Sequence, residues 1–126
     1  MVEQMITDAV AELLVGVTLD PAHGYVLTLG AGGQLTEILA DTQSLLLPVN
    51  EAEIESALDA LRIAPVLNGY RGKPAANRAA IIHAVLAIQN TVLAADGRIV
   101  EAEVNPLIAG AKTAIAADAL IVMEQT

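Results

Sequence analysis

Three oxygen-bearing residues near the end of the chain have the types and spacing of a site for a hard cation. Glu103, Asn105 and Asp118 carry the carboxylate and amide oxygens that Mg²⁺ and Mn²⁺ prefer. Alternate residues of a β-strand point to the same face, so Glu103 and Asn105 share a face if their segment is extended. Because these ligands are few, water or substrate phosphates would complete the coordination, as in nucleotide enzymes.

A predicted hairpin brings these residues together. Segments 98–108 and 113–122 have the composition of strands, and the turn between them is expected at Ala109–Lys112. This turn would place Glu103 directly opposite Asp118. Two carboxylates in that position repel each other unless a cation lies between them.

The same register would place Asn105 opposite Ala116 and would put Glu101 on the face of Glu103. The spacing alone is equally compatible with a simpler arrangement, in which Glu101, Glu103 and Asp118 form the solvated face of an edge strand. Spacing therefore does not decide between a metal site and an acidic surface.

The composition excludes several classes of protein. The chain has 126 residues, of which 55% are hydrophobic, and a formal net charge of −9. This length fits a single domain, residues 1–126, and the apolar content is too high for a disordered chain. The acidic surface would repel a phosphate backbone, so we expect no nucleic-acid partner. Without cysteine, neither disulfides nor a thiolate zinc site can form.

We expect a cytoplasmic protein with no membrane partner. Residues 1–15 contain three acidic and no basic residues, which is the wrong charge for a secretory or mitochondrial leader. The longest apolar, uncharged stretch, residues 79–95, is interrupted by polar residues and is shorter than the ~20 residues that span a bilayer.

The elements that must position the acidic residues are strands followed by helices and then the hairpin. Strands are predicted at 12–19, 25–29, 34–39 and 44–49, the first two as an antiparallel pair. Asn50 predicts the start of a helix that ends near Arg62, and a second helix runs from about Asn77 to Asp96 after a loop over 66–76. The expected fold class is α+β, an antiparallel sheet with two helices packed on one face.

Three stretches and one later residue carry a resemblance to a known family: Glu12 to Asp41, the loop Gly69 to Pro74 (GYRGKP), Glu103 to Leu107 (EVNPL), and Asp118. They resemble the C-terminal lobe of the ATP-grasp domain of NDP-forming acyl-CoA synthetases, the ADP-forming acetyl-CoA synthetase group, and the succinyl-CoA synthetase β subunit is also similar. The resemblance covers nearly the whole chain.

The resemblance implies roles for particular residues. Asn105 and Asp118 match the pair that holds the magnesium bridging the nucleotide phosphates, and Glu103 matches the acid just before them. Glu12 matches a position near the nucleotide, although an exposed charge at the start of a strand is as good an interpretation. Glu37 would support the site without contacting the nucleotide.

Three glycines and a basic loop complete the candidate ATP/ADP contacts. Gly30, Gly32 and Gly33 would let the backbone approach a phosphate or ribose, but glycines between strands more often serve turn geometry, which we favour. Arg71 and Lys73 share a Gly-Pro loop that would contact a phosphate or a docking domain, with a plain solvated loop as the alternative. His23 and His83 have no expected role, and no catalytic residue is assigned.

The implied reaction interconverts acyl-CoA, ADP and phosphate with acid, CoA and ATP through a phosphohistidine on another domain. The chain matches only one lobe, with residues 2–6 matching the strand just after the lobe boundary, so we expect a fragment that is inactive alone. Its partners would be the remaining lobe and the CoA-binding domains or subunit, and the uncovered apolar surface favours homo-oligomers. The alternative function is a non-catalytic or regulatory synthetase-like module, as in a protein acetyltransferase.

Overall fold

The computed structural model describes residues 9–33 and 40–125, which form one antiparallel sheet with helices on one side. The predicted strand at 34–39, with Glu37, and the segment 2–6 lie outside the described residues. The described strands are β1 (Ala9–Asp20), β2 (Gly24–Ala31), β3 (Thr42–Leu46), β4 (Ile99–Gly110), β5 (Ala114–Ala116) and β6 (Ala119–Met123), and the helices are α1 (Glu51–Ala60), α2 (Ala64–Leu67) and α3 (Arg78–Ala94).

The sheet has the order β3-β2-β1-β4, and β5 and β6 both pair with the outer side of β4. The expected pairing of the first two strands is confirmed, with Val15 opposite Leu29 and Asp20 opposite Gly24. All the strand pairs are antiparallel. The predicted α+β class is confirmed. Strands β1 and β4 are neighbours in the interior of the sheet, so the candidate residues that they carry do not lie on an edge strand.

Helix α1 begins where its capping residues predict. Asn50 Oδ1 accepts from the backbone N–H of Glu53 at 2.8 Å, and Glu53 Oε1 accepts from the N–H of Asn50 at 3.0 Å. This reciprocal pair satisfies two donors that the first turn of a helix leaves open. The apolar residues at helical spacing, Ile54 and Leu58, are fully buried.

Helix α3 is also capped by an asparagine, since Asn77 Oδ1 accepts from the N–H of Ala80 at 3.0 Å. The helix ends before Asp96 and Gly97, whose φ angles of 50° and 87° do not continue a right-handed helix. Most of the predicted apolar stripe is buried, but Leu93 beside it is 42% exposed. No helix within the described residues is long and apolar enough to span a membrane.

Two predictions about local structure are wrong. The loop expected from Val66 begins inside α2, a four-residue helix with Pro65 in its first turn. Proline is compatible with that position because the first N–H groups of a helix have no partner within the helix. The single strand expected at 113–122 is instead two strands, β5 and β6, separated at Ala117 and Asp118.

The core lies between the sheet and the helices. Leu13, Val15 and Val17 of β1 alternate along one face of the sheet and are at most 2% exposed. They pack with the buried residues of α1 and α3. Because side chains alternate along a strand, the even-numbered residues of β1, from Glu12 to Thr18, belong to the opposite face. That second face is the one that carries the candidate site.

Candidate functional site

The face of the sheet opposite the helices carries the acidic residues. Gly16 of β1 lies between Thr28 of β2 and Glu103 of β4, and Glu103 in turn lies opposite Leu120 of β6. Glu101 occupies the next position of β4 on the same face, opposite Thr18. The shared face of Glu101 and Glu103 follows the predicted alternation.

The predicted register of the last hairpin is wrong. Glu103 lies opposite Leu120, not Asp118. Asp118 instead lies opposite Asn105, and the backbone N–H of Asn105 donates to the carbonyl oxygen of Asp118 at 3.1 Å. The cause is the turn, which closes where the N–H of Gly110 donates to the carbonyl of Thr113 at 2.8 Å.

This turn lies one residue later than predicted, which moves the pairings of Glu101 to Ala109 by two residues. A shift of two residues preserves the face of each side chain, whereas a shift of one would exchange the faces. Asp118 therefore keeps a register position on the face of Asn105, but the repulsive pair of opposed carboxylates is absent. Within residues 9–33 and 40–125, no three carboxylate or imidazole groups converge to hold a metal ion.

A hydrogen bond joins the glycine segment to the metal-site candidates. The N–H of Gly33 donates to Asn105 Oδ1 at 2.7 Å. The preceding amide, that of Gly32, donates to the carbonyl of Glu12 at 2.9 Å. The structure thus brings four sequence-predicted residues together at one end of the central strands, with Asp118 opposite one of them.

The Glu12 carboxylate lies directly against Gly33. A β-carbon placed on Gly33 would collide with Glu12 Oε2 and would lie 2.9 Å from Glu12 Cδ. The φ of Gly33 is +66°, a conformation that side chains other than glycine rarely adopt. The φ angle disfavours any other residue at this position, whereas the end of the exposed and flexible Glu12 side chain can move aside.

The favoured turn role is wrong for Gly30 and Gly32. Gly30 belongs to β2, and a β-carbon there would collide with the Asp41 carbonyl. A β-carbon at Gly32 would collide with the Leu13 carbonyl and lie 2.8 Å from the N–H nitrogen of Leu14. Glycine therefore allows close approach of neighbouring backbone segments at both positions, and the space is filled by this chain itself.

Asp41, the last residue of the first stretch that carries the family resemblance, supports this end of the sheet. Its carboxylate is 5% exposed and accepts from the N–H groups of Arg62 at 2.8 Å and Ile63 at 3.1 Å. Its carbonyl accepts from the N–H of Ala31 at 3.0 Å. Asp41 thus ties the segment leading to Gly33 to the connection between α1 and α2.

Arg71 lies on a tight, exposed turn. The N–H of Lys73 donates to the carbonyl of Tyr70 at 3.2 Å, and φ is 53° at Arg71 and 78° at Gly72. The guanidinium carbon is 5.2 Å from the centre of the Tyr70 ring, a cation–π distance. Among the described residues, no hydrogen bond or ion pair joins Arg71 to Glu12, Gly33 or Asn105.

The two histidines have no part in the candidate site. His83 is exposed on α3, and His23 is exposed in the turn between β1 and β2, where its Nδ1 lies 3.6 Å from Asp20 Oδ1. The N–H of Ala22 also donates to that oxygen, and this bond, aided by those of His23, lowers the pKa of Asp20 below its ordinary value of 3.8. The effect is local to the turn.

Comparison with known proteins shows which family and which proteins this chain is similar to. A family model described as an ATP-grasp domain matches residues 1–123. The chain is 38% identical over 117 residues to the trans-feruloyl-CoA synthase FCS1 of an unknown prokaryotic organism, covering 90% of this chain and 16% of that protein. It is 30% identical over 115 residues to the β subunit of an ADP-forming acetate–CoA ligase II of Pyrococcus furiosus, covering 90% of this chain and 49% of the subunit.

A solved structure has the same fold. It is the dinucleotide-forming acetyl-coenzyme A synthetase 1 of Ca. Korarchaeum cryptofilum in complex with coenzyme A and Mg-AMPPCP, with a TM-score of 0.84 and 28% identity. The match covers 90% of this chain and 53% of that chain. The chain therefore spans about half the length of the Pyrococcus subunit and of this structure, and a smaller part of FCS1.

Proposed function

We propose, given that this chain belongs to the ATP-grasp domain family, that it forms the nucleotide- and Mg²⁺-binding lobe of an ADP-forming acyl-CoA synthetase. The complete protein would convert acyl-CoA, ADP and phosphate into acid, CoA and ATP through a phosphohistidine carried by another part. The names of the relatives and the Mg-AMPPCP complex of the similar structure support this assignment. The cytoplasm supplies both nucleotide and CoA, and we propose that compartment for the protein.

The observation that carries the proposal is the convergence of Glu12, Gly33 and Asn105, with Asp118 opposite Asn105 in the ladder. The available donors are carboxylate and amide oxygens, which fit Mg²⁺ rather than a soft metal. An amide oxygen has two lone pairs, so the bond from Gly33 is compatible with ligation by Asn105. The donor set thus fits the ion that the family membership implies.

The negative charge of the acidic face explains why nucleotide binding here would require a cation. Glu12, Glu101, Glu103 and Asp118 would repel the phosphates of a nucleotide placed against this face. Magnesium supplies charge neutralisation and in-line positioning of the phosphoryl group when it is bound. We assign Asn105 and Asp118 as its protein ligands, with Glu103 supporting them from the adjacent position on the strand.

Gly32 and Gly33 contribute to the proposed site by positioning Glu12 and Asn105. Their amide N–H groups donate to the Glu12 carbonyl and to Asn105 Oδ1, which fixes both residues beside the proposed nucleotide phosphates. Arg71, exposed on its turn, would supply a positive charge to a nucleotide phosphate from outside this group. The chain contributes none of the acyl specificity, and the remaining lobe and CoA-binding parts would be its partners.

Titration of the chain with ADP, followed through the amide signals in ¹H–¹⁵N NMR spectra, tests the proposal. With Mg²⁺ present, we expect the Gly33, Asn105 and Asp118 signals to shift as ADP is added, and without Mg²⁺ we expect no saturable shift. Asp118→Asn should abolish the Mg²⁺-dependent shifts. Glu51→Gln, which removes an equal charge from the helix side, should leave them unchanged. Shifts that are the same with and without Mg²⁺ would contradict the assignment.

A regulatory, non-catalytic module is the second candidate, and one observation favours it. Glu103 lies opposite Leu120, so the pair of opposed carboxylates that would demand a cation is absent. A module of this kind would keep the fold and the Gly33–Asn105 bond for their structural value. It would show no Mg²⁺-dependent response to ADP in the same titration.

A further inference from the structure

Strand β6 forms an uncovered edge of the sheet. Its five residues, Ala119–Met123, are all exposed, and Leu120 and Ile121 are 52% and 53% exposed. The strand pairs with β4 on one side, and within the described residues no strand pairs with its other side. It contains neither a charged residue nor a proline, the usual protections of an edge strand.

The hydrogen-bond pattern shows which backbone groups face this edge. At one end of β6, the carbonyl of Asp118 accepts from Asn105, and at the other end the N–H of Glu124 donates to the carbonyl of Arg98 at 2.7 Å. Residues of an antiparallel strand alternate between bonding to one neighbour and to the other. The N–H and C=O groups of Ala119, Ile121 and Met123 therefore point to the open edge.

An apolar groove lies beside this edge on the helix side. It has a volume of about 240 Å³ and is lined by residues of α3, among them Ile88 and Thr91, and by Val104 and Ile121 of the sheet. Helix α3 leaves this part of the sheet uncovered, since Ile121 remains half exposed. A strand added alongside β6 would place its alternate side chains over the groove, so backbone and side-chain contacts would form together.

The charges at the ends of β6 identify the strand that fits. Asp118 and Glu124 flank the apolar stretch, one at each end. In an antiparallel pair of two copies centred on Ile121, Asp118 of each copy would lie opposite Glu124 of the other. Like charges directly opposite each other destabilise a strand pair, and the net charge of −9 adds to this repulsion between copies.

We propose that the β6 edge binds a strand of a partner polypeptide whose uncharged, β-branched centre is flanked at both ends by lysine or arginine. The central residues would pair with the outward backbone groups of Ala119, Ile121 and Met123. The flanking cations would lie beside Asp118 and Glu124. Because Asp118 is also a proposed Mg²⁺ ligand, the interaction is tested without nucleotide and without Mg²⁺, so that its outcome does not depend on the proposed function.

The test uses a nine-residue synthetic peptide with alternating valine and threonine between two lysine pairs, and a control peptide with glutamate pairs. Binding is measured by calorimetry and by amide hydrogen exchange of the 126-residue chain. We expect the lysine peptide to bind at least about tenfold more tightly than the glutamate peptide. We also expect it to slow exchange of the Ala119, Ile121 and Met123 amides while leaving those of α1 unchanged.

Two variants separate strand addition from general attraction. Ile121→Pro removes an N–H that points away from β4, so it should leave the fold intact and abolish peptide binding. Should that variant fail to fold, as judged by circular dichroism, Ile121→Lys replaces it, because a charge on the edge also opposes strand addition. Glu124→Lys should weaken binding of the lysine peptide about threefold or more.

Three results would overturn the proposal. The first is equal affinity for the two peptides, which would exclude recognition of the flanking charges. The second is the absence of binding or of amide protection in β6. The third is a dimer of the free chain in sedimentation equilibrium that Ile121→Lys dissociates, because a second copy would then be the occupant of the edge.

Discussion

The backbone N–H of Gly33 donates to the side-chain oxygen of Asn105 over 2.7 Å, although 72 residues separate them in the chain. The bond connects the end of β2 to the face of β4, across the strand that lies between them. It orients the Asn105 amide at the position where a metal ligand is proposed. One polar contact therefore serves both the folding of the sheet and the geometry of the candidate site.

Replacing Asn105 with leucine should destabilise the protein measurably. The variant leaves the Gly33 N–H without this acceptor, which costs about 1–3 kcal/mol for a part-buried donor. Urea unfolding measures the loss, and hydrogen exchange at Gly33 should become faster. Asn90→Leu, at an exposed position of α3, is the matched control and should change the unfolding free energy by less than about 0.5 kcal/mol. Equal losses in the two variants would show that the bond contributes nothing.

Replacing Gly32 with alanine should be far more harmful than the same change at Gly16. The new methyl group at Gly32 would meet the backbone of Leu13 and Leu14, which cannot move without disturbing β1. We expect a loss of about 2–3 kcal/mol in the free energy of unfolding. At Gly16 the nearest atom is Glu103 Cγ at 4.0 Å, so alanine is expected to be neutral or stabilising by about 0.5 kcal/mol. Denaturant titrations that rank the two variants in the opposite order would refute this account.

Replacing Asp41 with alanine should be among the more destabilising single changes in the chain. The carboxylate accepts two backbone N–H groups at a position that is 5% exposed, and alanine leaves both without their acceptor. We expect a loss of about 2–4 kcal/mol, measured by thermal or urea unfolding. Asp41→Asn keeps one acceptor oxygen and should lose about half as much. If Asp41→Ala lost less unfolding free energy than Asp41→Asn, the two N–H groups would have found other acceptors.

The stability contributed by Asp20 should depend on pH. The bond from the Ala22 N–H lowers the pKa of Asp20 in the folded chain below 3.8. A lowered folded-state pKa contributes stability that is present above the unfolded-state value and is lost as pH falls through the folded-state value. The advantage of the natural chain over Asp20→Asn should therefore be constant near pH 6 and shrink below about pH 4. Urea midpoints that differ by the same amount at every pH would disprove the linkage.

Sequence reasoning succeeds where the determining contacts are local. Asn50 and Asn77 each bond an N–H three residues further along, so the starts of α1 and α3 can be read from a few neighbouring residues. The family of the chain was also accessible from its motifs, because these are contiguous stretches such as the EVNPL segment.

The remaining features depend on contacts between distant segments. A turn closed at Thr113 rather than one residue earlier moved the pairings of Glu101 to Ala109, because each step in the turn shifts the two strands against each other by two residues. The N–H groups that donate to the Asp41 carboxylate lie 21 and 22 residues away, and no local sequence pattern indicates them. The sequence by itself determined the pairing of β1 with β2, the starts of α1 and α3, and the family. Only the tertiary structure decided which oxygen-bearing residues lie close together, because these contacts depend on strand register and on close backbone packing at Gly30 and Gly32.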